Sequence, residues 1–97
     1  MNGESRLVLT EEMHKTLQMH LFPGDEKEAA AILVCNRYEG TRLKLLAKEL
    51  ILVPYEECKT RTRDFISWPG SYLEKAIDSA EETQMSVILV HSHPGGL

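Results

Sequence analysis

The sequence predicts an α/β domain in which two helices flank a mixed sheet. Two segments carry apolar residues at helical spacing, and the segments around them are short apolar runs of the kind that form strands. Turns containing proline or glycine separate these segments. A chain of 97 residues can build one small core. We therefore predict a single domain over residues 1–97 with the element order β-α-β-β-β-α-β.

The first strand and helix are predicted before Gly24. Arg6–Leu9 is a short apolar strand, and Thr10 is a typical N-cap, followed by two glutamates that favour the positive end of a helix dipole. Pro23 and Gly24 end the helix, since neither residue continues it easily. Its apolar face consists of Met13, Leu17 and Leu21.

A hairpin is predicted next. Ala29–Cys35 is short, unbroken and apolar and ends in β-branched residues, which indicates a buried strand. Tyr38–Thr41 is a turn. Helix propensity alone favours a helix in the first half of Arg42–Pro54. The neighbouring turn and the terminal Ile-Leu-Val instead favour a strand paired with residues 29–36.

The last third of the chain is predicted as loop, strand, helix and strand. Glu56–Asp64 is a charged loop and Phe65–Trp68 a short strand. Ser71 with Glu74 matches a capping box. Met85–Val90 is nearly continuously apolar, so we expect it to lie in the centre of the sheet. The second helix has an apolar stripe of Leu73, Ala76, Ile77 and Ala80 and closes at Thr83-Gln84.

Composition excludes several classes of partner. The net charge of −4 argues against nucleic acid, and we expect the basic cluster Lys59–Arg63 to be a solvated loop. No apolar run approaches the ~20 residues that a membrane span needs, and we identify no signal peptide. Cys35 is predicted in the core and Cys58 on the surface, without a disulfide framework. We therefore expect a cytoplasmic protein.

His91 and His93 are the strongest candidates for chemistry. They follow the last apolar strand and precede Pro94. Residues two apart in a strand share a face, with roots roughly 6–7 Å apart, so both imidazoles can reach one metal ion. The alternative is a pair of solvated polar residues at a strand end. Ser92 points the other way, and we expect it to be structural.

Glu28 is the second candidate. It could be an ordinary surface carboxylate, but it stands directly before a buried strand, where a carboxylate beside a metal can take a proton from water. His14 and His20 are six residues apart on the first helix and share no face, so neither is a predicted ligand. We expect Trp68 to pack over the sheet or the following helix.

With these residues, the chain resembles the JAMM metalloproteases, which have the JAB/MPN domain. His91-Ser92-His93-Pro94 after an apolar strand and Glu28–Leu33 upstream carry the resemblance, which extends from about Arg6 onward and is strongest to the bacterial branch. It implies a cytidine-deaminase-like fold, Zn²⁺ bound by His91 and His93, and Glu28 as general base. The implied reaction is hydrolysis of a peptide or isopeptide bond at the C-terminus of a ubiquitin-like protein, and a ThiF-like activating protein is an implied partner.

One part of the family pattern lies beyond this sequence. A serine that stabilises the oxyanion and an aspartate that completes the metal site follow the histidines in the family, and the sequence reaches Leu97 before either. We therefore expect residues 1–97 to be the amino-terminal part of such a domain, with little or no catalysis on their own. A non-catalytic JAB/MPN interaction module is the alternative, and a RadC-like protein is a weaker one.

Overall fold

The computed structural model describes residues 5–40 and 42–94, and its two helices and mixed sheet confirm the predicted α/β class. Thr41 in the predicted turn and residues 95–97 after Pro94 lie outside the described residues. A short 3₁₀ helix covers Tyr55–Glu57. The elements in chain order are β1 (Ser5–Val8), α1 (Glu11–Leu21), β2 (Ala30–Tyr38), β3 (Leu43–Leu52), β4 (Thr60–Arg61), β5 (Ile66–Ser67), α2 (Ser71–Thr83) and β6 (Ser86–His91).

Four strands form the main sheet in the order β1-β3-β2-β6. β1 runs parallel to β3, whereas β2 is antiparallel to both β3 and β6, so the sheet is mixed. The predicted hairpin of β2 and β3 is confirmed, with a register shift between Val34 and Cys35. Thr10 caps α1 as expected, because its hydroxyl accepts a hydrogen bond from the Met13 amide at 3.0 Å.

Strand β2 is the centre of the core because both of its faces are covered. Leu33 belongs to a cluster with residues of α1 and β3, and Ile32 and Val34 pack against Ala76 and Ala80 of α2. All three β2 side chains are at most 1% exposed. Burial on both faces explains why β2 reads as an unbroken apolar run rather than as an alternating one.

The prediction that the last strand lies centrally is wrong. Among the described residues, β6 is an edge strand that pairs with β2 alone, and Leu89 on it is 52% exposed. An apolar run indicates that a strand is buried on average, but it does not indicate where that strand lies in the sheet. The central place is taken by β2, whose partners β3 and β6 lie on either side of it.

The segment predicted as a charged loop, Glu56–Asp64, contains part of the 3₁₀ helix and strand β4. β4 pairs antiparallel with β5, so these two strands form a separate ribbon outside the main sheet. The capping box at Ser71 is also wrong. Gly70, already in a helical conformation at φ −66° and ψ −14°, is the N-cap, and Ser71 lies one residue too far into the helix to cap it.

Two further sequence predictions concern burial. Trp68 packs against the α2-facing cluster that includes Ile32 and Ala76, which confirms its expected position. Cys35 is fully buried as predicted, but Cys58 is only partly exposed, and its thiol donates to the Pro54 carbonyl at 3.6 Å. Both cysteines are free thiols. Neither described helix has the length and hydropathy needed to cross a membrane.

Candidate metal centre

The register between β2 and β6 brings the three candidate residues together. Ala30 lies opposite His91, the last residue of β6, and the strands are antiparallel. The same register, continued two residues past both strand ends, places Glu28 opposite His93. The intervening residues support this, since the Ser92 amide donates to the Ala29 carbonyl at 3.0 Å. A glutamate 63 positions before the first histidine is thus its close neighbour in space.

The two imidazoles converge on the Glu28 carboxylate. Nδ1 of His93 lies 3.3 Å from Glu28 Oε2, and Nδ1 of His91 lies 3.7 Å from Glu28 Oε1. The two rings have centroids 4.5 Å apart and meet edge to face at 74°. One ligand atom from each of the three residues lies within 4.8 Å of the other two. Glu28, His91 and His93 therefore form a group that could hold a metal ion.

Burial differs sharply across this group. The Glu28 side chain is 3% exposed, whereas those of His91 and His93 are 48% and 65% exposed. The carboxylate thus lies at the base of the site and the imidazoles at its solvent-facing rim. A carboxylate removed from water is costly unless positive charge or hydrogen bonds compensate it, and a cation held against the two rings would provide that compensation.

The donor set fits a divalent transition metal. Imidazole nitrogens and a carboxylate are ligands for zinc, and the same set also suits iron, manganese or cobalt. Since the imidazoles are exposed on one side, an ion bound to them would remain accessible to water or to a ligand. The group is consistent with the predicted cofactor as a metal site, and the choice of zinc remains a prediction.

Ser92 has the structural role that the sequence predicts. It is 3% exposed, and its hydroxyl accepts a hydrogen bond from the Ala29 amide at 3.0 Å. Together with the bond from the Ser92 amide to the Ala29 carbonyl, this contact fastens the segment after β6 to the segment before β2. Ser92 thereby fixes the residues on either side of it, His91 and His93, against Glu28.

Replacing Ser92 with alanine should lower the free energy of unfolding by about 1–3 kcal/mol, because the buried Ala29 amide loses its acceptor. Urea denaturation followed by circular dichroism measures this change. Ser71→Ala, the same substitution at an exposed serine of α2, should stay within about 0.5 kcal/mol of the wild type. Equal destabilisation by the two variants would contradict the structural role of Ser92.

The other two histidines lie outside the described metal-binding group. His14 is exposed on α1. His20 hydrogen-bonds through Nε2 to the Ala30 carbonyl at 3.1 Å, and its ring stacks on Tyr55 with centroids 4.7 Å apart. Burial, more than any other cause, lowers the pKa of His20. The ring is therefore a packing element between α1 and the start of β2.

Sequence reasoning missed Arg61, which was expected in a solvated loop. Its side chain is only 11% exposed, and its Nε donates to the Glu28 carbonyl at 2.7 Å. The alternation of threonine and arginine over Thr60–Arg63 is a strand pattern, and that signal could have found β4. It places Arg61 and Arg63 on the same face, so it could not have distinguished the buried arginine from the exposed one.

A groove of about 350 Å³ opens beside the metal-binding group. Residues of β6 and Ile66 of β5 line it, and Phe65, another lining residue, is 57% exposed. Apart from the metal-binding group itself, Asp64 is the one charged residue in a lining that is otherwise apolar. Besides Glu28, His91 and His93, the lining residues are Ala30, Asp64, Phe65, Ile66, Trp68, Leu89 and Val90.

Comparisons with known proteins add no family to this description, since no family model and no curated protein matches the chain.

Proposed function

We propose that this chain forms part of a zinc-dependent peptidase or isopeptidase that acts at the C-terminus of a ubiquitin-like protein. The observation that supports the proposal is the convergence of Glu28, His91 and His93 within 4.8 Å in the lining of a largely apolar groove. A JAB/MPN fold is proposed with it, on the basis of the His-Ser-His-Pro element and the glutamate before β2. Fold alone would not carry the function, since function resides in the site.

In this proposal His91 and His93 hold the ion and Glu28 is the general base. When bound, zinc would polarise the scissile carbonyl and lower the pKa of water. The Glu28 carboxylate, at the base of the site, accepts a proton from the attacking water as the water oxygen bonds to the carbonyl carbon. It then delivers that proton to the leaving amine nitrogen as the carbon–nitrogen bond breaks. The resemblance adds an aspartate ligand and an oxyanion-stabilising serine, which residues 1–97 do not supply at the family spacing.

The lining of the groove favours a polypeptide as the substrate. Its walls are apolar over Phe65, Trp68 and Leu89, which suits an apolar side chain of an extended chain whose backbone passes the metal-binding group. The tail of a ubiquitin-like protein or of its conjugate is such a chain. A ThiF-like activating protein would act on the same C-terminus and is the proposed partner.

The proposal is tested by cleavage of a ubiquitin-like protein fused through its C-terminus to a reporter peptide, followed by mass spectrometry. In a protein that continues residues 1–97 with the serine and aspartate of the family pattern, the zinc-loaded form should release the reporter, a chelator should abolish release, and added zinc should restore it. Cleavage that persists after complete metal removal would rule out the metal mechanism. A folded, zinc-loaded protein that cleaves no modifier fusion would rule out the proposed reaction.

A non-catalytic interaction module is the second candidate. Phe65 and Leu89, which both line the groove, are each more than half exposed, which is favourable for binding a partner protein. The two candidates differ in one measurement. Stable binding of the modifier fusion by the zinc-loaded protein without cleavage would favour the module. The acidic net charge gives the RadC-like alternative no support in DNA contact.

A further inference from the structure

We propose that Arg61 is a positioning residue that holds the Glu28 carboxylate between His91 and His93. Its Nε donates to the Glu28 carbonyl at 2.7 Å, a charge-assisted bond. Its two terminal nitrogens donate to Asp25 at 2.7 and 3.3 Å. One guanidinium thus joins the Asp25 loop to the main chain of Glu28.

Glu28 needs this support because it precedes β2 and lies outside the strand ladder. Its main-chain polar groups are instead bonded to the segment around β4: its amide donates to the Thr62 carbonyl at 2.7 Å, and its carbonyl accepts from Arg61. With both groups fixed, the backbone at Glu28 cannot rotate freely. A rotation there would move the carboxylate away from the two rings, and a displacement of about 1 Å at a reacting group can cost 10²-fold in rate.

The Arg61 side chain is itself held rigidly. Its guanidinium lies over the Tyr55 ring, 4.1 Å from the centroid, and the same ring stacks with the imidazole of His20. The Tyr55 hydroxyl donates to the His20 carbonyl at 2.6 Å, which ties the stack to the end of α1. The fork geometry of arginine matches the Asp25 carboxylate and leaves Nε for Glu28, an arrangement that lysine cannot reproduce in full.

The ion pair between Asp25 and Arg61 also changes the pKa of Asp25. The hydrogen bond from Arg61 is the largest cause that lowers the pKa of Asp25. Asp25 therefore stays ionised, and keeps its bonds to the guanidinium, down to a lower pH than a free aspartate would. This pair orients Arg61, and Arg61 in turn orients Glu28.

Nuclear magnetic resonance of the 97-residue chain tests this inference without any turnover. The wild type should show nuclear Overhauser contacts between the Glu28 Hγ protons and the His93 ring. Arg61→Met should lose these contacts while keeping those across the β2–β6 pair, such as Ala31 with Val90, which report the fold. Arg61→Lys, which retains the charge and one donor group, should keep them at reduced intensity, and it carries the test if the methionine variant does not fold.

Arg63→Met is the matched control, because Arg63 is exposed in the segment that joins β4 to β5 and the charge change is identical. Its Glu28–His93 contacts should equal those of the wild type. Full contacts in a folded Arg61→Met, or equal losses in both methionine variants, would overturn the positioning role. The inference rests on the proposed site in one respect, the closeness of Glu28 to His93. A folded wild type without that contact would refute the proposed function, an outcome distinct from a failure of Arg61.

A second readout is zinc affinity, measured by calorimetry on the same variants. Partners that orient a metal site without binding the ion change affinity by about 10–100-fold. Arg61→Met should weaken zinc binding within that range and Arg63→Met should not. A merely structural arginine would lower thermal stability and leave the affinity of the folded fraction unchanged, so an unchanged affinity would count against the proposal.

Discussion

Glu28→Gln, made in the longer protein of the cleavage test, should lower turnover of the modifier fusion by about 10²–10⁴-fold and leave zinc bound, because removal of a positioned general base typically has that effect. Glutamine has nearly the same shape as glutamate but cannot accept the proton. The Glu28 side chain is 3% exposed and faces both imidazoles, so a smaller residue would leave a cavity and confuse the result. Initial rates under saturating zinc, with the metal content of each sample measured, separate the two effects.

Glu26→Gln is the matched control, because Glu26 is an exposed carboxylate two residues upstream in the same loop. It should keep full activity. Activity that survives in Glu28→Gln would show that the base is another group. Loss of zinc from a folded Glu28→Gln would show that the carboxylate binds the ion directly, a role that its distances of 3.3 and 3.7 Å to the imidazole nitrogens also allow.

The sequence was sufficient for features that depend on local pattern. The Thr10 cap, the helical spacing of α1 and the apolar run of β2 each reflect physical requirements of neighbouring residues. The antiparallel pairing of β2 with β3 could be predicted because only a short turn separates the two strands. In each case the interaction that stabilises the element is formed by residues close in the chain, so the element can be predicted without tertiary information.

Features that depend on distant partners could not be predicted in the same way. β6 is as apolar as a central strand, yet its position at the edge follows from which strands pair with β2 and not from its own composition. Arg61 resembles any residue of a basic loop. Its burial arises from Glu28 and Asp25, which lie 33 and 36 positions earlier. Long-range pairing of this kind leaves almost no signal in a single sequence.

The candidate site combines both cases. The spacing of His91 and His93 is local, and the sequence was enough to place both imidazoles near each other. The closeness of Glu28 to them depends on the β2–β6 register, which no local pattern fixes. A slip of that register by one residue would turn every side chain of β6 to the opposite face and separate the carboxylate from the rings. The buried Ser92–Ala29 bonds oppose such a slip.

His91→Ala and His93→Ala should each remove bound zinc from the protein. Each substitution deletes a nitrogen ligand, so the loss in affinity should exceed the ~10–100-fold typical of residues that only orient a ligand. Both side chains are largely exposed, so truncation should cost little free energy of unfolding. Calorimetric titration with zinc, alongside circular dichroism to verify folding, measures the effect.

His14→Ala is the control for loss of an imidazole, because His14 is exposed on α1 and lies outside the metal-binding group. It should bind zinc as the wild type does. If all three alanine variants weakened binding equally, the ion would be held by histidines non-specifically at the surface. If His91→Ala and His93→Ala both bound zinc as tightly as His14→Ala, the convergence of the two rings on Glu28 would have no metal-binding role, and the hydrolase proposal would lose its basis.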